Sequence, residues 1–428
     1  MLGYRFTAFH KTLQAAVQAV ILTHLKTGYR KSFYLLLLLA LFESNALGID
    51  FKIDLPPDMG VRETASKQVT QNGADFPDDL GIETFSSHSE ANNDTKDAPT
   101  DSEMRHENST SNNVQELKTA PFVQHSLKGN DASFPTPRCL AERVKFWESI
   151  YRDVDVDTIV LHDREDLSRI YGVARMASSA VARSSAADVY RNYYSNKLRE
   201  LASLYDRPAE WDSTHRDLAR HFPGKLLVPD VLLRASKNIR IQSGLKKHFE
   251  NGIQRSLSII GTVHNVVSSQ GIPEDIIILP HVESGYNTRA VSKVGAVGLW
   301  QIMPDTMRLL MGRGSASRRT EVYSSTVAAA KLLRQNYAQT KSWPLALTAY
   351  NHGLNGVMKA VRQTSSHDLC TIIEKYESPS FRFASSNFYA QFLAARNVAL
   401  PRYAEIIKKG TGPRILKPLL ARRLGTGF

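Results

Sequence analysis

The chain has 428 residues and a formal charge of +12, with 42% hydrophobic and 22% charged side chains. At ~100–200 residues per domain, this length accommodates two or three domains, and the composition excludes whole-chain disorder. The cationic excess favours an anionic partner, whether nucleic acid, an acidic membrane surface or an anionic polymer. Cys139 and Cys370 are the only cysteines, so zinc-ribbon, CxxC redox and multi-disulfide frameworks lack ligands; one long-range disulfide stays open, with no motif behind it.

The first 31 residues carry Arg5, Lys11, Lys26, Arg30 and Lys31 and no acid, and an apolar run follows from Phe33 to Phe42. Such a run is too short for a bilayer span, which needs about 20 apolar residues, and fits a secretory h-region of roughly 7–15. Ser44-Asn45-Ala46 supplies a small-x-small cleavage pattern. Residues 1–46 are therefore expected to be a signal peptide; left uncleaved, the same segment would hold the chain at a membrane. From Phe51 to Pro137 there are 15 acidic and 7 basic residues with no periodic apolar pattern, which predicts a disordered acidic linker over 47–137. The remainder then carries +20.

Beyond the linker, apolar residues return at helical spacing: Phe146, Trp147 and Ile150, then Leu167, Ile170, Tyr171 and Ala174. One helix is expected over Ile253–Gln270, closed by Gly271, with His264 on its apolar face as a core or interface residue. Another is expected from Pro273 to Glu283, kinked at Pro280. Ala329, Leu332, Leu333 and Tyr337 mark a further amphipathic helix, and Trp343-Pro344-Leu345 opens a short one ending at Gly353. No alternating strand pattern is evident. The expectation is an all-α, mainly helical chain: a support domain over 138–253, a catalytic domain over 254–400 and a basic tail over 401–428.

Three clusters could carry chemistry. Glu283 sits where the apolar stretch Ile276–Val282 opens into Ser284-Gly285, a context that can hold a carboxylic acid protonated for attack on a glycosidic bond. Gly295 and Gly298 allow close backbone approach, and Gln301 offers a donor and an acceptor within an apolar run, to be satisfied by the core or by a ligand. Tyr350-Asn351-His352-Gly353 could bind a sugar or simply end a helix.

In this order, Glu283-Ser284, Gly298-Leu299-Trp300-Gln301-Ile302-Met303-Pro304 and Ala349-Tyr350-Asn351 resemble the signature of the family 1 lytic murein transglycosylases. The likeness is greatest to the membrane-bound lytic murein transglycosylase D subfamily, through Leu279-Pro280-His281-Val282-Glu283-Ser284 and Trp343 to Gly353, and extends over roughly 138–400. The resemblance implies a lysozyme-like fold and cleavage of the β-1,4 bond between N-acetylmuramic acid and N-acetylglucosamine of peptidoglycan. It implies 1,6-anhydromuramic acid ends, with Glu283 as sole acid and base. Ser284 would orient Glu283, while Gly298, Gln301, Met303, Tyr350, Asn351 and Tyr389 would hold the glycan. No metal or organic cofactor is implied, nor nucleic acid, nor a stable membrane span after signal cleavage. The expected partner is the peptidoglycan glycan strand, in the periplasm.

Two features depart from the family pattern. An acidic Asp-Arg-x-Asp-Pro-like segment is replaced by the cationic stretch from Arg313 to Thr320, and the later groove Tyr appears as Asn387-Phe388-Tyr389. Asp305, the nearest possible second acid, is expected to cap a helix rather than to act as the second carboxylate of an ordinary glycosidase. A hydrolytic muramidase and a non-catalytic peptidoglycan-binding protein are the alternative readings.

Overall fold

The computed structural model describes residues 133–176 and 180–425. The expected signal peptide and the expected linker up to residue 132 lie outside the described residues. Most of the described chain is helical. Helix α1 (Ala141–Arg152) leads into strands β1 (Thr158–Asp163) and β2 (Ile170–Arg175). Helices α2 (Ala180–Leu204), α3 (Ser213–Ala219) and α4 (Pro229–Lys237) precede β3 (Ile239–Ser243).

The three strands form an antiparallel sheet in the order β2-β1-β3, with Val160 opposite Val173 and Leu161 opposite Ile241. Leu167, Ile170, Tyr171 and Ala174, expected on a helix, instead belong to the β1–β2 hairpin and its second strand. The physical reason lies in β1: alternate side chains of a strand point to opposite faces, and here both faces are covered. Val160 joins the large hydrophobic core, whereas Ile159 and Leu161 join a smaller one built by the sheet with α2, α3 and α4. A strand between two cores reads as a continuous apolar run without polar alternation.

The rest of the chain is helical: α5 (Lys246–Ser256), α6 (Ile260–Ser269), a 3-10 turn (Glu274–Ile278) and α7 (Leu279–Glu283). Then come α8 (Pro304–Met311), a 3-10 turn (Ser315–Thr320), α9 (Val322–Thr340), α10 (Trp343–His352), α11 (Leu354–Thr364) and α12 (Leu369–Lys375). Helices α13 (Phe383–Lys408) and α14 (Lys417–Leu424) close the described chain.

The 26 residues of α13 span about 39 Å, and Phe388, Phe392, Leu393, Ala395, Leu400 and Tyr403 are buried along it, so it is the axis of the large core. Helix α1 lies along it, tied by Arg143 to Asn387 (2.9 Å) and Asn397 to Glu148 (2.6 Å). Leu416, Leu419 and Leu420 complete the same core from the carboxy-terminal side. Cys139, beside α1, forms a disulfide with Cys370 on α12. Among the described residues, no helix is long and apolar enough to cross a membrane.

Two helices expected to be continuous are broken. The Ser256 hydroxyl donates to the Ile253 carbonyl (2.6 Å), and the Leu257 N–H turns to Gln254 instead, ending α5 with three residues left between it and α6. The segment before Glu283 runs as a 3-10 turn and then α7, with Pro280 in the first turn of α7, where a missing N–H costs nothing. Helix α10 matches expectation: Pro344 stands in its first turn and Gly353, at φ +85°, closes it.

Candidate active site

Glu283 is the last residue of α7, half-buried. The chain then turns sharply, with Gly285 and Tyr286 both left-handed at φ 55° and 59°. For a tyrosine this conformation is unfavourable, and the surroundings enforce it. The Tyr286 N–H closes on the Pro280 carbonyl (3.0 Å), and the buried hydroxyl donates to Ile277 (2.6 Å). The Arg255 guanidinium grips the Gly285 carbonyl with Nε at 2.9 Å and Nη2 at 2.6 Å. The catalytic candidate thus stands at a helix end held from both sides.

The second motif folds as a tight loop. Val297 and Ile302 exchange backbone hydrogen bonds (3.3 and 3.2 Å), enclosing Gly298, Leu299, Trp300 and Gln301. Gly298 has φ +83°, and a Cβ there would lie 2.2 Å from the Arg319 carbonyl oxygen, so only glycine fits. The buried Trp300 indole donates to Thr326 (2.9 Å). Gln301 is itself left-handed, at φ +46°. Its amide nitrogen donates to the carbonyls of Gly298 (2.9 Å) and Ala290 (3.3 Å), which leaves Oε1 as its uncommitted atom. Of the two readings of Gln301, the loop's own carbonyls satisfy the donor half and a ligand can use the acceptor half.

Hydroxyls from two elements fasten this loop. Ser284 Oγ donates to the Leu299 carbonyl (2.8 Å) and accepts the Asn287 N–H (3.2 Å). Tyr350 Oη, from α10, donates to the Trp300 carbonyl (2.7 Å). Burial, and secondarily the charge of Glu283, push the Tyr350 hydroxyl well above its ordinary range, so it stays protonated as a donor. Asn351 is exposed and accepts the Ser385 hydroxyl through Oδ1 (3.0 Å), while His352 Nδ1 lies 3.2 Å from the same hydroxyl. Met303 follows the loop, 40% exposed at the start of α8.

The structure therefore gathers Glu283, Ser284, Gly298, Gln301 and Tyr350 around one loop, with Met303 and Asn351 adjacent in the chain. It does not bring Tyr389 to an open surface. That side chain is 1% exposed and its hydroxyl donates to the Pro135 carbonyl (2.7 Å), so it has no face to offer a glycan. Phe388 beside it is buried as well. Position 389 looks inward because α13 is enclosed along this stretch. Asp305 lies in the first turn of α8 rather than at its cap, its carboxylate 95% exposed and paired with Arg308. Among the described residues, no three His, Cys, Asp or Glu side chains gather to hold a metal ion.

The departure at the cationic segment leaves three roles open, in groove electrostatics, fold detail or substrate preference, and Arg318 and Arg319 are spent on the second. Arg319 Nη1 reaches the carbonyls of Gly295 (3.0 Å) and Ile302 (3.3 Å), and Nε reaches Ala316 (2.7 Å), clamping the Gly298–Gln301 loop from below. Arg318 pairs with Glu321 (2.9 Å). Sequence reasoning missed both Arg255 and Arg319. Each acts through backbone carbonyls, which leave no mark in the sequence.

The site thus sets one carboxylate, that of Glu283 at the end of α7, against a loop that opens with Gly298. Residues 267–372 match the family model of the transglycosylase SLT domain, and this stretch holds Glu283, the loop and Tyr350. Over 108 residues the chain is 35% identical to the membrane-bound lytic murein transglycosylase D of Escherichia coli strain K12, and equally to that of Escherichia coli O6:H1 strain CFT073. The aligned stretch is 24% of this chain and 24% of either relative, so the chain matches about a quarter of their length.

Proposed function

We propose that the chain is a peptidoglycan lytic transglycosylase in which Glu283 is the only acid and base. The observation that carries this reading is the contrast between Glu283 and Asp305, the possible second acid. Glu283 stands half-buried at the end of α7 beside the Tyr350 hydroxyl, while Asp305 is solvated and paired with Arg308. Glycosidases that use water recruit two carboxyl groups at a set separation. With one, the substrate must supply the second nucleophile.

Glu283 protonates the oxygen between N-acetylmuramic acid and N-acetylglucosamine, and the C1–O bond breaks as the neighbouring N-acetyl oxygen bonds to C1. The Glu283 carboxylate then takes the proton of the C6 hydroxyl, whose oxygen displaces the acetamido oxygen from C1. The 1,6-anhydro ring closes, the glutamic acid is restored and no water is consumed. Ser284 and Tyr350 fix the loop relative to the carboxyl group. Gln301 Oε1 and Asn351 accept hydrogen bonds from the sugar, and Met303 forms an apolar wall. The cationic excess of the chain suits a polymer bearing free carboxylates.

An exported, envelope location is part of the proposal. The long-range disulfide belongs to an oxidising compartment, and the relatives are named as membrane-bound. The test is mass spectrometry of the soluble products released from murein sacculi by the purified chain, with Glu283→Gln as control. Fragments ending in 1,6-anhydromuramic acid, absent with the variant, are expected. Reducing ends would make the protein a muramidase, and sacculus binding without release would make it a binding protein.

A further inference from the structure

At the Trp343 end of α10, about 10 Å along the helix from Tyr350, a separate cavity opens between α9, the turn at Gly271–Asp275 and α14. Its volume is about 670 Å³, within the range of pockets that hold small ligands. Nothing in the mechanism above uses it.

One wall is an aromatic column. Tyr337 stacks on Trp343 at 4.5 Å and 17°, Trp343 rests on Phe134 (5.9 Å) and Phe134 on Phe392 (5.0 Å) in the core. Tyr337 is outermost and 36% exposed. A ring supported from behind in this way is a rigid platform, ordered before any ligand arrives. One turn earlier on the same face of α9 stands Arg334, exposed and without a hydrogen-bond or ion-pair partner among the described residues. The opposite wall is already neutralised: Arg423 is paired with Asp275 (2.6 Å) and Arg422 with Glu274. Arg334 is therefore the uncompensated charge of the lining. An open aromatic face beside a free guanidinium fork is the complement of a pyranose ring, whose C–H face is apolar, carrying a carboxylate that can accept two hydrogen bonds.

We propose that this cavity is a second murein-binding site that takes a muramic-acid-containing saccharide, with a sugar face on Tyr337 and a carboxylate on Arg334. The inference rests on the peptidoglycan reading above. The carboxylate comes from the lactyl group or from the stem peptide. Such a site would hold the strand while the groove at Glu283 cleaves it, raising the effective concentration of substrate there.

The full chain carrying Glu283→Gln is titrated calorimetrically with three probes: the N-acetylglucosamine–N-acetylmuramic acid disaccharide, the same disaccharide bearing a tetrapeptide, and neutral chitotetraose. The expected stoichiometry is about two for at least one carboxylate-bearing probe, falling to about one when Arg334→Ala and Tyr337→Ala are added; the difference between the first two probes identifies the source of the carboxylate. Chitotetraose should bind once, with or without these changes. Arg334 is exposed and outside the aromatic column, so Arg334→Glu leaves that packing in place and alone should abolish the second site. With Glu283 restored, the double variant should cleave soluble muropeptides at the parent rate and release sacculus fragments about tenfold more slowly. A single site for every probe, or two sites unaffected by the substitutions, would overturn the proposal while leaving the cleavage reading intact. If the parent released nothing from sacculi, the cleavage reading would fall, and the calorimetric stoichiometry would still decide the second site.

Discussion

Ser284 and Tyr350 donate their hydroxyls to adjacent carbonyls of one loop, Leu299 at 2.8 Å and Trp300 at 2.7 Å. Ser284 directly follows Glu283, and Tyr350 comes from α10, so the two bonds set the spacing between the carboxylate helix, the loop and the third motif. These hydroxyls act through geometry, which predicts a kinetic signature. Ser284→Ala and Tyr350→Phe should each lower kcat on murein between about 10- and 100-fold, the range expected when a reacting group is misplaced by a fraction of an ångström to one ångström. Each should cost about 1 kcal/mol in stability. Steady-state kinetics with denaturant unfolding on the same preparations checks this. A change in KM alone would show that the hydroxyls bind sugar rather than fix the loop.

Arg319 offers a test of whether the cationic segment acts by charge or by fastening. Its guanidinium spans carbonyls of Gly295, Ile302 and Ala316, a fork that an ammonium cannot reproduce. Arg319→Lys should therefore lose activity nearly as far as Arg319→Ala, with a stability loss of about 1–3 kcal/mol as the carbonyls lose their partner. The defect should persist from low to high salt, because a fastening is not screened. Rescue by lysine, or a defect that fades with salt, would restore the electrostatic reading.

The helical character and the ordered motifs were legible because helix periodicity and short functional signatures are local. Helix α10 is the clearest case: Pro344 and Gly353 mark its ends in the sequence and in the structure. Strand β1 was illegible for a tertiary reason, since Val160 and Leu161 face different cores and both faces are buried. Tyr389 failed for a related one. An aromatic residue near a motif reads as a groove wall until the enclosure of α13 is known. The disulfide had no local signature at all, its cysteines being 231 residues apart.

That disulfide joins the turn before α1 to α12 over a sequence separation of 231, closing a loop that leaves α13 and α14 outside it. Cross-links over long loops restrict the unfolded chain most, typically by about 2–4 kcal/mol. Cys370→Ser, or reduction, should lower the melting temperature measured by calorimetry at neutral pH by several degrees, with activity at low temperature retained. An unchanged melting temperature would show that the thiols are not paired in the folded protein.

The last prediction concerns acid. His281, two residues before Glu283, is fully buried between Phe249 and Tyr286, and its Nε2 lies 2.8 Å from Tyr403 Oη. Tyr403 in turn lies 2.6 Å from Ser256 Oγ, whose proton is committed to the Ile253 carbonyl. The hydroxyl of Tyr403 must then donate to Ser256, and His281 donates to Tyr403 through Nε2–H, while Nδ1, where a second proton would add, is buried with no hydrogen-bond partner among the described residues. Burial, with Arg255 contributing less, holds the His281 pKa down to about 3, and burial holds His162 down to about 4. In the unfolded chain both protonate near pH 6.5. Both groups therefore favour the folded state fully above about pH 6.5, and stability falls as the pH drops toward 4, by roughly 1 kcal/mol per pH unit for each. Urea unfolding from pH 7.5 to 4.5 should show this decline, and His281→Gln, which keeps a donor toward Tyr403, should make it shallower. A slope identical in the variant would mean that protonation of His281 contributes nothing to the loss of stability in acid.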